Sequence, residues 1–224
     1  MEELVQIRNE TVVNVLKDIY QLCDEQHPII VDFLEKKSKA ADFDYNLHVH
    51  QESAFYSDKA LSLDLEKGLF CYNLVKTLNA PNIIDAGTSF GASAIFMAAA
   101  LNERLEKKGH IYSFENEEKK AKIAERNFRR AGLDEFITLK VGDILENIDC
   151  IAGTIDLVLL DICDPIPKLL IEHILNQLRP GSIILADNSI YTDLYKGYFE
   201  YLGNNGFSTV TLPFEGGLEF TVKN

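Results

Sequence analysis

The stretch "NIIDAGTSFGAS" (Asn82–Ser93) decides the fold that we predict for this chain. It begins as a short apolar strand, and the apolar run "AIFMAAAL" that follows has the length of a helix. Between them lies a loop with two glycines, Gly87 and Gly91, whose backbone can approach a ligand closely. A loop at the carboxyl end of a strand is where ligands bind in an open α/β sheet.

The spacing of the glycine loop limits its ligand. G-x-x-x-G is neither the G-x-G-x-x-G of dinucleotide-binding folds nor the G-x-x-x-x-G-K-[ST] of phosphate-binding loops. No lysine follows the loop, so we do not expect a phosphate ligand. On spacing alone, a tight turn between a strand and a helix explains the two glycines equally well.

Short apolar strands alternate with helices through the rest of the chain. The further strands that we predict are "HIYSFE", "FITLKVGD", "IDLVLLD", "SIILAD", "FSTVTL" and "LEFTVK". This alternation predicts an α/β fold with a mostly parallel sheet covered by helices on both faces. The last two strands are joined by "PFEGG", which is too short for a crossover helix, so this pair should be antiparallel. Two of the predicted helices are "KLLIEHILNQLRPG", which should end at Pro180–Gly181, and "LYKGYFEYLGNNG".

The N-terminal part has a different pattern. Residues 2–37 predict one or two amphipathic helices with a break at Pro28. Residues 38–60 have no clean period and predict a loop or lid, and a helix is expected at about 63–79. We therefore expect an N-terminal helical extension and lid over residues 1–60, and one globular ligand-binding domain over residues 61–224.

The composition excludes several classes of protein. The 224 residues are 46% hydrophobic, which suits one globular domain, and the formal net charge of −13 disfavours a nucleic-acid partner. No apolar run reaches the ~20 residues that span a membrane, and no signal peptide is visible, so a cytoplasmic location is expected. The four cysteines are scattered without a C-x-x-C pair, which favours reduced thiols over zinc or disulfides.

Acidic residues stand at the ends of the first three strands. Glu115 ends the second strand, where a carboxylate can accept hydrogen bonds from both ribose hydroxyls, and Asp143 follows the third, near an adenine edge. Together with Asp85 they suit a nucleoside without phosphate, and they also suit a cationic ligand. S-adenosylmethionine has both properties.

A second group of polar residues ends strands four and five. Asp161 ends the fourth strand, and Asp187 and Asn188 end the fifth. Neighbouring strands lie about 4.8 Å apart, so these side chains can converge on one ion. Two carboxylates and an amide oxygen suit Mg²⁺. In the alternative interpretation, the same residues end a strand and cap the next helix.

The order "IIDAGTSFGASAIFMAAAL", "IYSFENE", "VGD", "IDLVLLD" and "LRPGSIILADN" resembles the class I methyltransferases. It is most similar to the O-methyltransferase family of catechol and caffeoyl-CoA type with its bacterial relatives, from about Leu61 to the C-terminus. The resemblance implies a Rossmann-like fold with seven strands, the last antiparallel. It also implies which residues bind S-adenosylmethionine. The expected cofactor-binding residues are Asp85, Gly87, Thr88, Ser89, Ser93, Glu115, Asp143 and Asp161. The expected Mg²⁺ ligands are Asp161, Asp187 and Asn188.

One position departs from the family pattern. Three residues after the strand-four aspartate the family commonly has a lysine that acts as catalytic base or positions the reacting hydroxyl, and this chain has Asp164. Asp164 could be the base, could be a further metal ligand, or could indicate that the metal-dependent chemistry has been lost. Lys168 and His48 are the other candidate catalytic residues.

The sequence thus predicts an S-adenosylmethionine-dependent O-methyltransferase that acts on a small hydroxylated, catechol-like acceptor with the help of a divalent metal. The first alternative is a methyltransferase of the same fold that needs no metal and methylates nitrogen or another group. The second is a cofactor-binding protein without turnover. The resembling family also suggests a homodimer.

Overall fold

The computed structural model describes residues 2–39, 52–78, 80–104, 109–162, 166–190, 195 and 197–224. Seven strands are present in this part of the chain: β1 Asn82–Ala86, β2 His110–Glu115, β3 Ile137–Val141, β4 Ile155–Leu160, β5 Leu178–Asp187, β6 Phe207–Leu212 and β7 Leu218–Lys223. The α-helices are α1 Glu10–Lys37, α2 Ser53–Tyr56, α3 Leu65–Thr77, α4 Ala92–Asn102, α5 Glu118–Ala131, α6 Ile144–Asn147, α7 Ile166–Ile174 and α8 Tyr198–Asn204. Short 3₁₀ turns cover Glu2–Gln6, Asp134–Phe136, Ile148–Cys150 and Leu175–Gln177.

The strands form one sheet in the order β3-β2-β1-β4-β5-β7-β6. β1 to β5 are parallel to their neighbours in this group, whereas β7 runs antiparallel to both β5 and β6. The predicted seven-stranded, mostly parallel fold with an antiparallel last strand is therefore confirmed. The chain order reverses between β1 and β4, so the crevice for a ligand is expected at the carboxyl ends of these strands.

The sheet separates two hydrophobic clusters because successive strand residues face opposite sides. Ile83 of β1 and Leu157 of β4 pack in one cluster with helices α1, α3, α4 and α5. Ile84 and Val158, the next residues of the same strands, pack in the other cluster with α7 and α8. Burial on both faces explains why the strands read as continuous apolar runs.

The N-terminal region corrects one expectation from the sequence. α1 continues through Pro28, where we predicted a break. Pro28 is exposed, so water can solvate the backbone carbonyl that the missing N–H leaves without a partner. The amino-terminal half of α1 packs on the domain through buried residues such as Val12 and Leu16, and Asp18 forms an ion pair with Arg130 of α5.

Two predicted helices are shorter in the structure. The helix that we expected to end at Pro180–Gly181 ends at Ile174, and β5 already begins at Leu178. The pairing of β4 with β5 shifts register between Ile155 and Leu157, and an irregular segment of this kind accommodates a proline in a strand. The helix expected from residue 194 starts at Tyr198, after Gly197 in a left-handed conformation.

Within the described ranges, no helix is long and apolar enough to cross a membrane.

Candidate functional site

The glycine loop between β1 and α4 lies against the end of β4. Gly87 has a φ of +102°, and a Cβ atom built on it would lie 2.2 Å from the carbonyl oxygen of Asp161. Gly91 has a φ of +94°, and its Cβ would lie 2.5 Å from the Phe128 ring. Close packing therefore requires both glycines, and Gly87 brings the loop next to the polar end of β4.

Asp85 lies at the centre of a buried hydrogen-bond chain. Its side chain is 0% exposed, and its Oδ2 accepts a hydrogen bond from the Ser113 hydroxyl at 2.6 Å. The Ser113 and Thr88 hydroxyl oxygens lie 2.6 Å apart, which continues the chain into the glycine loop. Burial raises the pKa of Asp85 to about 6, although its hydrogen bonds oppose this effect. A cationic ligand group beside Asp85 would favour the ionised form.

Glu115 fixes the shape of the glycine loop. Its Oε2 accepts a hydrogen bond from the backbone N–H of Ser89 at 2.7 Å, and its Oε1 accepts one from the N–H of Glu117 at 2.9 Å. Ser89 has a φ of +48°, which is rare for a residue other than glycine. Each carboxylate oxygen retains lone pairs for a further donor, so Glu115 can still accept from a ligand.

Two polar atoms at this loop are buried without partners. Among the described residues, Asp85 Oδ1 and Ser89 Oγ make no hydrogen bond. Buried polar atoms are nearly always hydrogen-bonded, so each unpaired atom needs an explanation. A polar ligand in the loop would supply the missing partners. Ser93, in the first turn of α4, is also buried.

Asp143 is placed just beyond β3, which pairs with β2 in parallel. It is exposed and caps the short helix α6, since its Oδ1 accepts a hydrogen bond from the N–H of Leu145 at 2.8 Å. This cap occupies one oxygen of the carboxylate and leaves the other open.

Asp161 directly follows β4 and Asp187 ends the neighbouring parallel strand β5, as predicted. Burial raises the pKa of Asp161 well above its ordinary value, and the charges of Asp187 and Asp85 raise it further. Burial also raises the pKa of Asp187, which is 5% exposed, although Lys67 opposes the effect. Two acids that disfavour each other's ionisation form a natural cation-binding group.

Asn188 is held by the loop between β6 and β7. Its backbone is left-handed, with a φ of +55°, and its amide nitrogen donates a hydrogen bond to Asp187 Oδ2 at 3.0 Å. A Cβ built on Gly216 would lie 2.5 Å from Asn188 Oδ1, and the N–H of Ile190 donates to the Gly216 carbonyl at 3.3 Å. The loop backbone therefore packs closely against this amide.

Lys67 is the residue at this site that the sequence interpretation missed. It lies in the first turn of α3 with a side chain only 1% exposed, and its Nζ donates to Asp187 Oδ1 at 2.5 Å. The signal was present in the sequence, because Lys67, Cys71 and Val75 lie four residues apart on a buried helix face. Tyr195 adds a further contact, since its hydroxyl donates to the Asp187 carbonyl at 2.5 Å.

The donor atoms at the ends of β4 and β5 fit a hard divalent cation in chemical type. In the described ranges, no three His, Cys, Asp or Glu side chains form a possible metal cluster. A metal here would therefore be held by the two carboxylates and the Asn188 amide. The negative charges of the two carboxylates would attract it. The amide nitrogen now faces Asp187, so the amide would have to turn to offer its oxygen.

The candidate catalytic residues have different outcomes. Asp164 and His48 lie outside the described residues. Lys168 lies in α7 with a side chain 41% exposed, and its Nζ is 3.7 Å from Glu172 on the same helix. Lys168 thus pairs with Glu172 at the surface of the helix, and the structure describes no ion pair between Lys168 and Asp161 or Asp187.

The sequence is similar to known methyltransferases. Residues 84–189 match the family described as "Methyltransferase domain". A catechol O-methyltransferase from Niastella koreensis is 32% identical over 135 residues, which cover 58% of this chain and 59% of the relative. A catechol O-methyltransferase from Mycobacterium tuberculosis is 27% identical over 131 residues, which cover 58% of each chain. This chain therefore spans less than two thirds of the length of both relatives.

The solved structures show the same fold. The O-methyltransferase from Bacillus cereus in complex with SAH aligns with a TM-score of 0.66 at 20% identity, covering 92% of this chain and 100% of the other. Residues 84–189 thus match a methyltransferase domain, and the chain shares the fold of the Bacillus cereus protein. The resemblance to O-methyltransferases of catechol type is confirmed.

Proposed function

We propose that this protein transfers a methyl group from S-adenosylmethionine to a hydroxyl oxygen of a small, catechol-like acceptor. The observation that carries this proposal is the position of the Asp161 and Asp187 carboxylates on adjacent strands, directly beside the glycine loop. An acceptor held at these carboxylates would lie next to a cofactor held at the loop. The relatives are catechol O-methyltransferases, which supports this choice of acceptor.

The cofactor would lie along the carboxyl ends of β1, β2 and β3. Asp85 and Ser89 would meet its methionine part, because their unpaired buried atoms need polar partners. Glu115 would accept hydrogen bonds from the ribose hydroxyls, and the open oxygen of Asp143 would face the adenine side. Gly87, Thr88, Ser93 and Asp161 complete the proposed cofactor site.

The reaction is a substitution at the methyl carbon. The acceptor oxygen attacks this carbon in line with the carbon–sulfur bond, which breaks and leaves S-adenosylhomocysteine, while the acceptor hydroxyl loses its proton. The protein contributes by holding both reactants in this line and by excluding water. The base that takes the proton stays a prediction, with Asp164, Lys168 and His48 as candidates.

We further propose that a divalent metal such as Mg²⁺ assists the reaction. Asp161, Asp187 and Asn188 are the residues that would hold it. When bound, such an ion lowers the pKa of an acceptor hydroxyl and orients its oxygen. The mutual charge repulsion of the two buried acids supports the proposal, because a cation would relieve it.

The remaining expectations stay predictions from the sequence. These are the N-terminal extension and lid over residues 1–60, the methyltransferase domain over residues 61–224, a homodimer and a cytoplasmic location. The small-molecule acceptor is part of the proposal above.

A methyl-transfer assay with labelled S-adenosylmethionine and a panel of catechols tests the proposed function. We expect product with Mg²⁺, loss of product with EDTA, and loss in Asp187→Asn. Asp156→Asn is the matched control, because Asp156 is also a buried acid in an ion pair, with Arg179, but lies at the other end of β4. Product formation that survives both EDTA and Asp187→Asn would contradict the metal-assisted mechanism.

A further inference from the structure

Lys67 is an unusual lysine because its side chain is almost completely buried. Its Nζ lies 2.5 Å from Asp187 Oδ1 and 3.0 Å from Asp64 Oδ2. Asp64 directly precedes α3 and is 55% exposed, whereas Asp187 is buried. The ammonium group therefore bridges an acid at the surface and an acid inside the proposed acceptor site.

The burial of Lys67 limits what it can do. With a side chain 1% exposed, the ammonium group cannot contact an acceptor that enters from solvent. A Cβ built on Gly216 would lie 3.7 Å from Nζ, so the loop between β6 and β7 also covers this group. Lys67 can therefore act on the reaction only through the charges of the acids around it, above all Asp187, which it contacts.

Both oxygens of Asp187 already have nitrogen donors. Lys67 donates to Oδ1, and the Asn188 amide donates to Oδ2. An amide can turn to exchange its nitrogen for its oxygen, but an ammonium group has only donors and cannot become a metal ligand. A divalent ion could therefore displace the Asn188 contact readily, whereas Lys67 would remain beside it as a like charge.

We propose that Lys67 is a positioning residue that acts as a built-in cation and weakens divalent-metal binding at Asp161, Asp187 and Asn188. This inference rests on the metal assistance put forward under Proposed function. With all groups ionised, Lys67 reduces the charge of the Asp161–Asp187 pair from two negative charges to one. Because the affinity of an oxygen site for a divalent ion increases with its negative charge, Lys67 keeps metal binding weak and reversible.

Lys67 also explains how the site can fold without metal. Two buried carboxylates without a cation would destabilise the fold, and the ion pair removes part of this cost. The protein would thus be stable both with and without bound metal, and the metal would bind only in the complex with cofactor and acceptor.

The test is the affinity of the 224-residue protein for Mg²⁺ and Mn²⁺, measured by calorimetry with saturating S-adenosylhomocysteine. Lys67→Gln removes the charge and keeps a hydrogen-bond donor, and we expect it to bind both ions at least about tenfold more tightly than the wild type. Lys76→Gln is the matched control, because Lys76 lies on the same helix and pairs with an acid, Glu103, at 3.1 Å. It changes the net charge equally and should leave the metal affinity unchanged.

A second measurement keeps the test decisive if Lys67→Gln is unstable. Thermal unfolding with and without Mg²⁺ should show a larger rise in Tm for Lys67→Gln than for the wild type, because the ion would replace the missing charge. Equal or weaker metal binding in Lys67→Gln, or an equal effect of Mg²⁺ on Tm, would overturn the proposal. These readouts do not use turnover, so an inactive wild type would overturn the proposed function and leave this inference standing.

Discussion

Replacing Asp85 with asparagine should make the protein more stable at neutral pH. Asp85 is fully buried, and its Oδ1 is one of the described buried atoms that have no hydrogen-bond partner. Burial raises the pKa of Asp85 from 3.8 to about 6 in the folded protein. The ionised carboxylate therefore destabilises the folded protein when no ligand is bound.

The size and sign of this cost follow from proton linkage. Between pH 3.8 and about 6 the folded protein binds more protons at Asp85 than the unfolded chain does, so the free energy of unfolding decreases as the pH rises. The loss of unfolding free energy levels off about one pH unit above the folded-state pKa, near pH 7. Each pKa unit corresponds to about 1.4 kcal/mol, so the full loss is on the order of 3 kcal/mol.

Chemical denaturation of the wild type and Asp85→Asn at pH 4 and pH 7.5 measures this effect. The difference in unfolding free energy between the two proteins should shift by about 2.4 kcal/mol in favour of Asp85→Asn between the two pH values, because a small part of the loss has already occurred at pH 4. Ser113→Ala, which removes the donor to Asp85 Oδ2, should shift in the opposite direction. A difference that is the same at both pH values would refute the reasoning.

Two further substitutions test the geometry of the site. Gly87→Ala should lower the unfolding free energy by at least about 1 kcal/mol more than Gly132→Ala. Both glycines have a positive φ, but only the new Cβ at Gly87 would clash with the Asp161 carbonyl. Equal losses of unfolding free energy in denaturant titrations would contradict this. Lys168→Ala should change stability by less than about 0.5 kcal/mol and leave the rate of methyl transfer unchanged, because its ion pair with Glu172 is exposed. A large loss of rate would instead identify Lys168 as a catalytic residue.

The sequence was most informative where local patterns are repeated along the chain. The alternation of apolar strands and helices predicts the sheet, because parallel strands buried on both faces need continuous apolar runs. The position of Asp161 and Asp187 also follows from sequence, since both residues end strands and the strands prove to be neighbours. Glu115 could be placed in the same way, at the end of β2.

The sequence was less informative where contacts between distant elements decide the outcome. The spacing of Lys67 to Cys71 and Val75 indicates a buried helix face, but its partner Asp187 is 120 residues away and could not be predicted. The direction of the Asn188 amide depends on Gly216, which approaches from another loop. Pro28 remains inside a helix because that face of α1 is exposed, and exposure is a property of the whole fold.

The central claim is that the glycine loop and the acids around it bind S-adenosylmethionine. Calorimetry of the 224-residue protein with S-adenosylhomocysteine tests this claim most directly, with Glu115→Gln as the variant that alters the support of Ser89 and the proposed ribose contact. We predict binding by the wild type in the micromolar range, and roughly tenfold weaker binding by the variant. No heat of binding from the wild type at high micromolar concentration would contradict the claim.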